Sequence, residues 1–482
     1  MSRRRLALIV FAVVEATGAA MLSAALVGVV YREWDAARSI ALVAAGTVLV
    51  GDLGRRMVGR AGELSVREGF AAVGLSWITM TFVGTLPFLV TGAIPNLTDA
   101  FFETAAGFTT TGASVVADPA TLDHAILFWR ALTQWMGGMG IIVLSIAVLP
   151  LLGVGGVQLA RAESPGHSPD RLTPRFRETA KRLWLLYVGF TAFQAVLLTF
   201  SDMNLFEAIC HAFTTMSTGG FSTRPESLGA FNEYAQWVAV TFMVIAGASF
   251  ALHYRALRDA REYPRSAEFR LYAMIVAGGA LFLVAGRWGH GVTDAIREGV
   301  FNAVSIITTT GFTNADFAGW SSALQIAIVG FMFVGGMSGS TAGGVKTYRL
   351  AVLTNSGRTD LRRVIHPLGV FRTRMGAKPV DDAVVHSVQT FFLFYMLAFM
   401  TGTLLLAMIE SGLGVGDDLI TSVSAVASAL GNIGPGLSAV GPTETYAHLH
   451  DTGKWLLSSL MIIGRLEIFP VVLLFTRELW RR

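Results

Sequence analysis

Ten apolar runs divide the chain, at 6–30, 39–58, 69–94, 125–152, 183–201, 232–254, 270–287, 322–345, 384–409 and 455–476. Each approaches or exceeds the roughly 20 residues an α-helix needs to cross a bilayer, so the pattern predicts ten transmembrane spans. Four of the intervening segments are too long for plain hairpins. Aligned to end on a shared glycine they read FETAAGFTTTG (102–112), CHAFTTMSTGG (210–220), FNAVSIITTTG (301–311) and SAVASALGNIG (424–434). Each has a half-apolar run too brief to span, then small hydroxyl or amide residues, then Gly. That pattern suits a re-entrant half-helix and an extended return strand, because backbone at membrane depth must be satisfied by protein or a water-filled cavity.

Every copy lies between two spans, so the unit is span, re-entrant loop, span. Four units use eight spans and leave the first two outside the repeat. Repeats set architecture, and the expected fold class is an all-α integral membrane protein: a pseudo-fourfold ring about one axis plus two extra N-terminal spans. The expected divisions are 1–64 for the N-terminal pair, then repeats at 65–160, 161–262, 263–360 (with a mid-membrane gating loop) and 361–482.

The repeated ending carries chemistry. A cation leaving water needs oxygen ligands, which a ring of backbone carbonyls supplies without fixed negative charge. Turning successive carbonyls the same way demands backbone angles that glycine reaches most cheaply. The candidate ion-binding residues are therefore Thr110, Thr111 and Gly112; Thr218, Gly219 and Gly220; Thr309, Thr310 and Gly311; and Asn432, Ile433 and Gly434. Ordinary loop tips or small-residue helix contacts are the bland alternative, but loop tips have no reason to recur in step with the spans.

A second glycine cluster, GGMSGSTAGG at 335–344, sits inside the eighth apolar run. Glycine costs a helix about 1 kcal/mol per position relative to alanine, so a broken helix is expected, its middle forming a movable barrier below the filter. The residues proposed for it are Gly335, Gly336, Gly339, Ser340, Thr341, Gly343, Gly344 and Lys346. A close-packed helix face is the alternative. A phosphate-binding loop is excluded because Val345 separates Gly344 from Lys346, breaking the Gly-Lys-Ser/Thr spacing. Arg465 lies mid-way along the last run, where a charge must find a partner or a water-filled cavity. Two readings stand: a salt bridge, with Glu467 or Glu15, or a cation in the conduction path that repels the permeant ion.

Composition sharpens the class. The 482 residues are 53% hydrophobic and 15% charged, with a mean hydropathy of +0.57, whereas soluble chains carry about a quarter charged residues. Most of the 37 Lys and Arg fall at 3–5, 55–67, 161–182, 255–270, 346–378 and 477–482, alternating with the spans. Positive loops stay cytoplasmic, so both termini are expected inside. The basic blocks are thus a topology signal with no nucleic-acid partner, since no aromatic-rich basic module accompanies them. The first run is long and contains Glu15, which suits a retained signal anchor better than a cleaved peptide. A lone Cys210 excludes an internal disulfide and any CxxC site. No HExxH, GxSxG or metal-ligand cluster supports an enzyme, and His124, His211, His253 and His386 read as packing or interface residues. A sensor with a dead pore would be expected to lose the filter glycines, and all four remain.

The four endings, together with QWMGGMGIIVLSIAVLPLLGVGG (134–156), GFMFVGGMSGSTAGGVKT (330–347), IIGRLEIFPVVLLF (462–475), RAESPG (161–166) and HPLGVF (366–371), closely resemble the TrkH subunits of bacterial Trk potassium uptake systems, in the TrkH/KtrB/HKT superfamily. The likeness runs from about residue 65 to the end, and the extra N-terminal pair suits that family too. It implies K⁺ uptake through a channel-like pore in a bacterial inner membrane, a homodimer of pores, and a cytosolic TrkA-like regulatory subunit that binds the nucleotide, leaving none for this chain. Some plant relatives with Ser at the first filter glycine favour Na⁺, so Gly112 points to K⁺; a K⁺/Na⁺ transporter of the same fold, with ion-coupled symport, stays open. The fourth ending departs from the others in Asn432, Ile433 and Pro435, as TrkH-like proteins also do. For Arg465 the resemblance favours the pore.

Overall fold

The computed structural model describes residues 2–59, 66–147, 173–412 and 418–477. The expected divisions at 64/65 and 160/161, the distal end of the fourth apolar run and the RAESPG segment lie outside them. Regular structure among the described residues is helical apart from one two-residue antiparallel pair, Arg374–Met375 with Lys378–Pro379.

The helices Arg3–Val30 and Trp34–Val58 pack as a hairpin. Small residues let them approach: a Cβ on Gly51 would lie 2.6 Å from the backbone nitrogen of Glu15, and one on Gly18 2.9 Å from Thr47. Lipid is as apolar as the side chains, so such close packing, and not hydrophobic expulsion, holds membrane helices together. Glu15 is neutralised by Arg55 at 2.5 Å. At the hairpin turn the Glu33 carboxylate accepts the N–H groups of His124 (2.8 Å) and Ala125 (3.0 Å). It caps the orphan donors at the start of His124–Ala147 and ties the hairpin to the first repeat.

Four half-helices follow the predicted pattern: Leu97–Phe108, Leu205–Met216, Val292–Ile307 and Leu419–Gly431. Three begin on side-chain caps, Asn96, Asn204 (a capping box with Glu207) and Asp418, which satisfy first-turn N–H groups. The third begins on Gly291 without one.

Among the described residues three of the ten predicted spans are sharply interrupted, while run 69–94 pauses only at Thr85, between Val66–Gly84 and Leu86–Thr91. The run 322–345 is helical only over Ser322–Met332, as its glycines led one to expect. The other two breaks correct the sequence reading. Run 232–254 is Glu233–Gly247 and Phe250–Ala256, meeting at 99°. There the helix releases the carbonyl of Gly247, which accepts from Met337 N–H (2.8 Å), and Phe250 N–H donates to Gly339 O (3.1 Å). Run 455–476 splits into Asp451–Arg465 and Phe469–Leu474 across Glu467 (φ 57°) and Ile468 (φ 65°). Hydropathy averages over a window and does not register a local exchange of backbone partners. All three breaks fall in the second span of a repeat.

Candidate functional site

The four half-helices end alike. Their carboxyl ends each close with a residue in the left-handed region, Thr110, Thr218, Thr309 and Asn432, at φ 52°, 52°, 56° and 56°. The next N–H donates five residues back: Thr111 to Ala106 O (2.8 Å), Gly219 to Thr214 O (2.8 Å), Thr310 to Ser305 O (2.9 Å) and Ile433 to Ser428 O (3.0 Å). This is the Schellman ending, usually built on glycine. Two residues beyond each left-handed residue the chain enters that region again, at Gly112, Gly220, Gly311 and Gly434 (φ 79°, 80°, 79° and 114°).

Why glycine at the second position and threonine or asparagine at the first is a question of space. A Cβ on Gly112 would lie 2.1 Å from Gly219 O, on Gly220 2.1 Å from Thr310 O, on Gly311 1.7 Å from Ile433 O and on Gly434 2.7 Å from Thr111 O. These contacts run from repeat one to two, two to three, three to four and four to one. They close a cycle, so the four endings form one ring in which each glycine meets the carbonyl before the next repeat's glycine. Positive φ strains any side chain at all four positions, and at Gly112, Gly220 and Gly311 the neighbouring carbonyl excludes one as well. The half-helices direct the negative ends of their dipoles toward the ring.

A cavity of about 120 Å³ opens on the glycine side, lined from all four repeats and including Gly112, Gly220, Gly311, Gly434 and Tyr446. On the threonine side lies the interrupted span. Its loop is held by the half-helix ends of repeats two, three and four: Gly343 N–H donates to Thr309 Oγ1 (2.6 Å), Gly344 N–H to Gly431 O (3.0 Å), and Thr341 Oγ1 to Met216 O (3.1 Å). Gly335 and Gly344 cross so closely that a Cβ on Gly335 would meet Gly343 O at 2.3 Å, while Gly336 packs under Gly247 O. Phe250 N–H fixes Gly339, Ser340 Oγ donates to Met337 O, and Lys346 Nζ to Ala342 O.

Arg465, buried at 2% exposure, donates from Nη1 to Thr341 O (2.7 Å) and from Nη2 to Gly137 O (3.3 Å). Neither expected carboxylate partner pairs with it: Glu467 takes Arg349 at 2.5 Å and Glu15 takes Arg55. The salt-bridge alternative is therefore corrected. Arg465 is a buried cation held by neutral carbonyls of the loop and the first repeat, while the ion pair of Glu467 belongs to the helix Thr347–Ile365.

Sequence reasoning missed three supports of the ring. Glu103 and Arg130 form a buried pair at 2.7 Å, and Arg130 Nη1 reaches Ser222 O (3.2 Å). The intramembrane-charge argument applied to Arg465 would have found them. Tyr446 Oη donates to Gly434 O at 2.8 Å. Gln134 Nε2 donates to Gly219 O at 2.6 Å, with no sequence signal beyond a polar residue in an apolar run. Of the histidines, His211 is buried between Glu207 O (2.8 Å) and Ser222 Oγ (3.0 Å), and His253 bonds Tyr263 Oη (2.7 Å), both as packing groups.

Four re-entrant helices closing one ring, with an interrupted span against it, define a multi-pass helical membrane protein of the pore-loop class. Residues 43–272 and 290–481 match the TrkH family of cation transport proteins, and the chain belongs to that family, one of transporters and not enzymes. It is 40% identical over 430 residues to the Trk system potassium uptake protein TrkH of Salmonella typhimurium, covering 87% of each chain. The TrkH protein of Vibrio parahaemolyticus is 41% identical over 433 residues, again 87% of each, and TrkG of Escherichia coli is 35% identical over 428 residues, 87% of this chain and 86% of that one. The crystal structure of the potassium transporter TrkH from Vibrio parahaemolyticus matches with a TM-score of 0.90 at 36% identity, over 100% of both chains.

Proposed function

We propose that this chain takes up K⁺ across a bacterial inner membrane through a single pore. Thr110–Gly112, Thr218–Gly220, Thr309–Gly311 and Asn432–Gly434 form its carbonyl filter, in which K⁺ exchanges its hydration shell for backbone oxygens. The observation that carries the reading is the closed cycle of glycine against carbonyl, which leaves no room for a side chain at Gly112, Gly220 or Gly311. The loop from Gly335 to Lys346, with Arg465 behind it, is the barrier on the cytoplasmic side, where its cation weakens binding enough for release. Divisions near 64, 160, 262 and 360 mark the N-terminal pair and the four repeats. Both termini are cytoplasmic, by the distribution of basic residues. Two such pores pair as a homodimer, and a cytosolic nucleotide-binding subunit regulates them.

Flux of Rb⁺ or K⁺ against Na⁺ from proteoliposomes of the purified protein, with and without a pH gradient, tests the reading. Selective Rb⁺ and K⁺ flux indifferent to the gradient is expected. Equal Na⁺ flux overturns the K⁺ assignment, and gradient-driven accumulation replaces the channel with a symporter.

A further inference from the structure

One of the four filter strands is built differently. At the position before the filter glycine, repeats one, three and four carry Thr111, Thr310 and Ile433, whereas repeat two carries Gly219. Gly219 is not in the left-handed region, so its backbone does not call for glycine. What excludes a side chain is Gln134, from the second span of repeat one: a Cβ on Gly219 would stand 2.4 Å from the Gln134 Cδ and Oε1. The carboxamide fills the space the other repeats fill with their own side chains. It bonds on both sides of Gly220, Nε2 donating to Gly219 O (2.6 Å) and Oε1 accepting from Phe221 N–H (3.1 Å). A carbonyl needs a donor and an N–H an acceptor, so only one orientation of the amide serves both.

In repeats one and three the hydroxyl before the glycine bonds its own strand, Thr111 Oγ1 with Thr109 Oγ1 (2.7 Å) and Thr310 Oγ1 with Thr308 Oγ1 (2.8 Å). Repeat two keeps the partner, Ser217, without the Thr. Two consecutive glycines are the most freely rotating dipeptide of the ring, and Gly219 O is one of the four carbonyls of the cycle.

We infer that Gln134 is a positioning residue for ion selection, acting as the missing side chain of the second filter strand and fixing the direction of the Gly219 carbonyl. The inference rests on the filter reading above. Its amide leaves the carbonyl's second lone pair for the ion while preventing the peptide from rotating away.

The test is K⁺ against Na⁺ flux of Gln134→Leu, Gly219→Thr and the pair Gln134→Ala with Gly219→Thr, each reconstituted beside the parent and Gly112→Ser. Leucine keeps the volume but not the hydrogen bonds, so a packing role predicts an unchanged ion ratio. Loss of positioning predicts that K⁺ preference falls roughly three- to tenfold, the ratio that a net hydrogen bond or two supplies. Gly219→Thr alone displaces the amide and also lowers the preference. In the pair, the space left by Gln134 receives the new side chain and its hydroxyl meets Ser217, so preference returns toward the parent's. That recovery is read against Gly219→Thr and stands whether or not Gln134→Leu folds. An unchanged ratio in folded Gln134→Leu, or a pair no better than Gly219→Thr, overturns the inference provided Gly112→Ser does shift the ratio. If Gly112→Ser leaves the ratio unchanged as well, the filter reading falls and takes this one with it.

Discussion

The glycine ring proposed as the filter and the interrupted span are both glycine-rich, both buried and in direct contact, yet they are held in opposite ways. Each strand of the ring has a fixing bond within its own repeat, the five-residue-back hydrogen bonds to Ala106, Thr214, Ser305 and Ser428 recurring in every copy, and the second strand alone adds Gln134 from repeat one on both sides of Gly220. The loop satisfies itself largely on others, taking acceptors from Met216, Gly247, Thr309 and Gly431. A strand that carries its own partners keeps its shape when its surroundings move. A loop that borrows them keeps its shape only while the lenders stay, and a span that surrenders its helix in a membrane must find such lenders. That difference suits a fixed filter and a movable barrier.

The sharpest break of the comparison is to crowd the ring itself. Gly112→Ser puts a Cβ 2.1 Å from Gly219 O, and overpacking of this kind costs roughly 1–3 kcal/mol. K⁺ preference over Na⁺ should fall about tenfold or more, a change of roughly 1.4 kcal/mol in relative barrier heights. Bilayer recordings with equal permeability ratios for parent and variant would remove Gly112 from the filter.

Deleting residues 336–343 tests the other partner. The borrowed contacts go while the ring keeps its own, so basal Rb⁺ flux should rise about tenfold and selectivity should hold. A folded deletion variant that conducts no better than the parent in liposomes would end the gate assignment.

A smaller effect is expected at Arg465, which contributes a charge and one hydrogen bond to the loop at Thr341 O, its second going to Gly137 O of the first repeat. Arg465→Ala should raise flux several-fold, and Arg465→Lys should restore most of the barrier because it keeps the charge on a differently shaped stem. Breaking the Arg349–Glu467 pair should act instead on stability, since an orphaned buried charge costs about 3–5 kcal/mol. Melting and Rb⁺ uptake measured on the same preparations separate the two: a lower melting point with reduced uptake in Arg465→Ala would assign it a structural part.

The same contrast explains what could be read from the sequence. The ring was legible because its determinants are local and repeated: four endings align on a glycine, and the structure keeps that register at all four left-handed pairs, from Thr110 and Gly112 to Asn432 and Gly434. The reason for the glycines was only half legible, since the clash at Gly311 comes from Ile433, a residue more than a hundred positions away. Non-local partners hid the rest. At the bend Gly247 O accepts from Met337 N–H, ninety residues on, and the carboxylate nearest Arg465 in sequence, Glu467, pairs with Arg349. Gln134 left no trace because an amide in an apolar run has no periodic signature.

The two regions touch at the bond from Gly343 N–H to Thr309 Oγ1, 2.6 Å long and buried, and the smallest predicted effect lies there. Thr309→Val keeps the branched shape and removes the acceptor, leaving the Gly343 N–H unsatisfied only while the loop is seated. The closed state therefore loses about 1 kcal/mol, and basal flux should rise roughly three- to fivefold. Because the filter residue itself is altered, flux in the single variant cannot assign the cause, but a cycle with the loop deletion can. In the background lacking 336–343 the partner Gly343 is itself absent, so Thr309→Val should add little, and the two changes should be strongly non-additive. Equal fold-increases in both backgrounds would mean that the hydroxyl acts within the ring and that the loop is not latched to the filter through it.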